Sequence, residues 1–117
     1  MPHPAYKDHP LWREAIAVVE EAYALAEAAK AAEPTVARHL RKVAVAIPAS
    51  LADALADEPE REIADDRQRA LGALAEIERQ TLFLPASLAS EGDALARRSR
   101  KLYRDVERLL SEVKEFS

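Results

Sequence analysis

Apolar residues recur along this chain at alternating spacings of three and four, the period of a helix with one face turned inward. The first such stretch follows the Asp8, His9, Pro10 punctuation, with Pro10 tolerated in the first turn, and runs to about Ala32. It carries two adjacent seams: Trp12, Ile16, Val19, Tyr23 and Ala26, and beside them Leu11, Ala15, Val18, Ala22, Leu25 and Ala29. That stripe is wider than one neighbouring helix requires. Glu33 and Pro34 break the pattern, Thr35 reads as an N-cap, and Val36, Leu40, Val43, Ile47, Leu51 and Leu55 define a second helix. After Asp57, Glu58 and Pro59, a third continues through Ile63, Arg67, Ala70, Leu74, Ile77, Thr81 and Leu84 until Pro85. Ser90 with Asp93 three residues on resembles a capping box, and Leu95, Ser99, Leu102, Val106, Leu109, Val113 and Phe116 form the cleanest heptad. The expected helices are therefore 10–32, 35–57, 60–84 and 91–116 in a single domain, with residues 1–9 mobile. Short connections make neighbours antiparallel, so the expected fold is all-α, an up-down-up-down four-helix bundle.

Pro48 interrupts the most regular part of helix 2. A helix-interior proline removes a backbone hydrogen bond and costs about 3 kcal/mol, so a kink in helix 2 at Pro48 is expected. It either bends the helix around the core or frees the Ala44 carbonyl for a partner or a water. With a turn near residue 58, Arg41 faces Glu76 as a structural salt bridge, Pro48 lies level with Arg69 and Ala70, and Gly72 falls near Val45. A glycine there suggests close approach of two backbones.

Composition narrows the class. The chain has 117 residues, two glycines, no cysteine and a net charge of −4, which excludes disulfides and zinc–thiolate sites and suits long, closely spaced helices. No run of 18 apolar residues occurs and the N-terminus lacks a signal-peptide pattern, so a cytoplasmic protein without a membrane segment is expected. His3, His9 and His39 lack metal-ligand spacing, and Glu-x-x-His pairs are absent. There is no glycine-rich phosphate loop, no G-x-S-x-G elbow and no His-Glu-x-x-His; Ser50 beside the proline has no histidine near in sequence to activate it. Neither enzyme activity, cofactor nor metal is expected.

The segment HLRKVAVAIPASLADAL, His39 to Leu55, resembles a pattern in which Gln-Leu-Arg-Arg-Ala runs into Ser-Ile-Pro-Ser-Asn-Ile-Ala-Glu-Gly. ALGALAEIERQ, Ala70 to Gln80, is similar to the Ala-Leu-Gly-Ser-Leu-x-Glu-Leu-Glu segment that follows it, and Leu11, Trp12 and Ala15 resemble the start. These are features of the four-helix-bundle family named for proteins encoded in intervening sequences of bacterial 23S rRNA genes. Arg41, Ile47, Pro48, Ala52, Gly72 and Glu76 match; His39, Ser50 and Asp53-Ala54 depart from the pattern. The resemblance implies a cyclic homo-oligomer, notably a pentamer, and one branch of the family comprises accessory proteins of diversity-generating retroelements that bind a reverse transcriptase and nucleic acid.

Charge is segregated. Arg97, Arg98, Arg100, Lys101, Arg104 and Arg108 outnumber Asp105 and Glu107 in helix 4, with Arg97, Lys101, Arg104 and Arg108 on one face. Such a face is a solvated surface, a phosphate-tracking stripe for RNA or DNA, or an interface. Asp57, Glu58, Glu60, Glu62, Asp65 and Asp66 form an opposite block against Arg61 alone, and Lys114 is the one cation expected near it. A head-to-tail ring brings such ends together, with Leu11, Val18 and Leu25 of the second seam supplying buried area and Asp65 and Asp66 guiding orientation. Trp12 reads as a core or interface anchor. The expected partners are other copies of the chain, with nucleic acid or a separate protein docked on the ring as the alternatives.

Overall fold

The computed structural model describes residues 5–55 and 60–116, with side chains described over 7–55 and 64–108. The described residues are helical, without strands: α1 (Pro10–Ala29), α2 (Pro34–Ala44), α3 (Ala46–Leu55), α4 (Glu60–Thr81) and α5 (Ala89–Phe116). They form a helical bundle in which α2 and α3 together replace the expected second helix. The Asp57–Pro59 boundary and His3 fall outside the described residues, as do the side chains of Glu60, Arg61, Glu62, Ile63, Leu109, Val113, Lys114 and Phe116.

Local chemistry sets the ends. Ala5–Asp8 form a 3₁₀ turn against α1 and α3, and residues 1–4 of the expected mobile leader lie outside the described residues. His9, in extended conformation, accepts the Leu11 amide on Nδ1 at 3.1 Å, and Pro10 opens α1 with its missing donor at a position that needs none. α1 stops at Ala29, three residues early, because the Ala29 carbonyl receives both the Ala32 and Glu33 amides in a tight turn. Thr35 is not the N-cap: Pro34 starts α2 and forces the break onto Glu33, at φ −136° and ψ 71°. α4 ends at Thr81 rather than at residue 84, since Pro85 cannot extend it; the Leu82, Phe83 and Leu84 amides close onto Arg79, Gln80 and Thr81. Pro85 then leads a 3₁₀ turn, Ala86–Leu88, that feeds directly into α5, so Ser90 lies inside that helix.

Between α2 and α3 the helical bonding lapses at Val45, three residues before Pro48. Pro48 has no amide to offer the Ala44 carbonyl. Val45 nonetheless keeps helical torsion angles, φ −67° and ψ −21°, so the bonding pattern breaks while the chain runs on.

The core lies where α4 packs against α5 and α3, and α1 against α2 and α5. Leu40, Ile47, Leu51, Leu74, Ile77, Leu95 and Leu102 are fully buried, each contributing about 1.5–3 kcal/mol. Ala15, Ala22, Ala26, Ala29, Ala37, Ala44 and Ala70 are buried with them, the small residues that let helix axes approach.

Candidate interaction surfaces

α5 turns Leu95, Ser99, Leu102 and Val106 inward, and this rotation fixes where its six cations between Arg97 and Arg108 go. Arg98 points at α1, donating from Nε to Glu14 at 2.6 Å and from a terminal nitrogen to Glu21 at 2.9 Å. Those two hydrogen bonds hold its pKa above the already high arginine value, against the opposing effect of partial burial. Arg100 points at α4 and donates twice to Glu78, at 3.0 and 2.7 Å. Both therefore tie helices together and leave the proposed basic face.

Arg97, Lys101, Arg104 and Arg108 remain on it, all exposed. Lys101 binds Asp105 at 3.0 Å and Arg108 approaches the same carboxylate at 3.9 Å. Arg97 and Arg104 have no hydrogen-bond or ion-pair partner among the described residues.

Beside this stripe, α1 and the start of α5 enclose a groove of about 500 Å³, lined by Glu21, Ala24, Leu25, Ala28, Leu88, Glu91 and Ala94. Its floor is apolar and its two charged lining residues, Glu21 and Glu91, are both acidic. Glu21 is held by Arg98, whereas Glu91 and, on the outer face of α1, Glu20 are exposed without a partner among the described residues.

Several expected placements are corrected. On α1, Val18 is fully buried in the intrachain core, Leu25 is buried there with an edge at the floor of the groove, and Leu11 is half-buried against the core. Trp12, Ile16 and Val19 of the other seam stay half-buried and Tyr23 is exposed. Arg41 does not meet Glu76. It lies 4.0 Å from Glu27 across the α1–α2 turn, while Glu76 is taken by Arg79 of its own helix at 2.6 Å and by Gln80 at 3.1 Å. These bonds hold the Glu76 carboxyl below its ordinary value, with smaller help from the Arg79 and His39 charges. Glu27 is likewise depressed, chiefly by Lys30. Asp65 is exposed, but Asp66 is buried and bound to Arg69 at 2.6 Å. Ile47 lies in the core and Pro48 is half-buried.

Gly72 is open: a Cβ added there meets nothing within 4 Å, so no backbone presses on it. The close approach occurs at Gly92, where a Cβ would lie 2.9 Å from Leu84 Cδ1. Sequence reasoning passed over Gly92, the Arg98 clasp and the groove. It also passed over the exposed Leu82-Phe83 pair in the α4–α5 turn, although an apolar run directly before Pro85 was a visible signal.

Among the described residues no group of His, Cys, Asp or Glu is placed to hold a metal ion, and no helix is long and apolar enough to cross a membrane. Ser50 is buried in α3. No family model, curated protein or solved structure matches the chain.

Proposed function

We propose that this chain is a cytoplasmic, non-enzymatic interaction protein that assembles with copies of itself into a closed ring and acts as a scaffold. The observation that carries this reading is the groove between α1 and α5: an apolar floor of Ala24, Leu25, Ala28, Leu88 and Ala94 left open on one side of a closed core. In this proposal the bundle is antiparallel, as Gly92 beside Thr81 and Leu84 and Arg100 on Glu78 suggest for α4 and α5, and the α2–α3 rod bends around the core at Pro48. The ring form and its subunit number, five, come from the sequence resemblance.

The test is size exclusion with light scattering, recording absorbance at 260 and 280 nm. A protein-only species of several chain masses supports the scaffold; a single-chain mass at high protein concentration removes it. A second reading is favoured by Arg97 and Arg104, whose guanidinium groups have no partner among the described residues and suit phosphates: an accessory protein that binds RNA or DNA through α5. A co-eluting 260 nm signal that disappears in strong salt would promote it, because phosphate contacts release counterions.

A further inference from the structure

We propose that the contact between copies is formed by the basic stripe of α5 lying across the α1–α5 groove of the next copy, head to tail. This rests on the self-assembly reading above and names the surfaces that carry it. Arg97 and Arg104 are seven residues apart on one face of α5, which places them about 10.5 Å apart along the helix. Glu20 and Glu27 have the same separation on the outer face of α1, with Ala24 between them as Lys101 stands between the two arginines. Two helices with matching periods and opposite charge fit side by side.

The chemistry of the floor agrees. Ala24, Ala28 and Ala94 are too small to block an approaching helix, and the aliphatic stems of arginine and lysine cover such a surface while their heads reach outward. The heads then meet the rim carboxylates Glu20 and Glu91, both exposed and unpartnered among the described residues, and reach Glu27, an exposed carboxylate that Lys30 binds at 2.6 Å and Arg41 approaches at 4.0 Å. Stripe and groove adjoin on α5, Ala94 lying seven residues before Lys101, so a rigid helix cannot lay its own stripe into the groove and the contact needs a second copy. In the proposed ring this contact is heterologous, and it propagates until it closes.

The experiment is a charge exchange on the full chain. One variant carries Glu20→Arg and Glu91→Arg, the other Arg97→Glu and Arg104→Glu. All four positions are solvent-exposed, and circular dichroism confirms that each variant folds. At low ionic strength, where screening is weak, each variant alone should associate at least about tenfold more weakly than the wild type by sedimentation velocity. Mixed in equal amounts they should associate again, read as a gain in weight-average mass over either variant alone, since each contact between unlike variants pairs opposite charges even though a ring of five keeps one like-charged contact. If the wild type assembles while both variants assemble equally well alone, the surface assignment is overturned and self-assembly stands. Variants that stay apart when mixed also overturn it. A wild type that remains a single chain overturns the self-assembly reading itself.

Discussion

Gly72 and Gly92 sit inside helices, where glycine costs about 1 kcal/mol relative to alanine, yet their surroundings differ. At Gly72 nothing opposes a methyl group, so Gly72→Ala should raise stability by about 0.5–1 kcal/mol in urea titration. At Gly92 the same gain is set against displacement of the Leu84 methyl, and Gly92→Ala should come out close to neutral. If Gly72→Ala instead destabilised the chain, Gly72 would be in contact with a partner. Ser99 presents the opposite case. It occupies a fully buried heptad position with its hydroxyl unbonded, and a buried polar group left unpaired costs about 1–3 kcal/mol. Ser99→Ala should therefore stabilise by about 1 kcal/mol, read as a higher thermal midpoint.

Between elements, the Arg98 clasp is the clearest polar tie, joining α5 to two carboxylates of α1 that stand two turns apart. The arginine side chain is 40% exposed, so solvent screening discounts the tie, and Arg98→Ala should cost about 1 kcal/mol. Arg98→Lys should not restore that loss, because a single ammonium lacks the fork that reaches both Glu14 and Glu21. Glu76 gives a pH-dependent counterpart within α4. Its folded pKa lies below the ordinary 4.5, so its contribution is present above that value and fades as pH falls through the depressed one. Glu76→Gln should be measurably less stable than wild type at neutral pH, and the gap should close in acid. A gap that persists unchanged at low pH would assign the loss to packing. The helices themselves were legible from period alone, and so were Leu40, Ile47, Leu51, Leu74, Leu95 and Leu102 as core. Their rotation was not. On α1 two adjacent seams satisfy the same period, and the alanine-rich one faces inward because small residues permit the closest helix approach. The Arg41–Glu76 pairing assumed a continuous second helix; the lapse at Val45 and a nearer arginine on α4 decided otherwise.

At the scale of the molecule, a net charge of −4 coexists with a cationic stripe and an acid-rimmed groove that adjoins it. Repulsion between whole molecules opposes association, while attraction between the two patches favours one orientation of it. Which prevails depends on distance. At low ionic strength the Debye length is about 30 Å, so both act; at 1 M salt it is about 3 Å, and only apolar contact persists. The apolar floor of the groove is built chiefly of alanines, which bury little area, so charge has to supply much of the attraction. Added salt should therefore move the weight-average mass down toward that of the 12.9 kDa chain, as followed by light scattering across a sodium chloride series. An assembly indifferent to salt would place its contact on the exposed Leu82, Phe83 and Tyr23 instead, where burial alone provides the free energy.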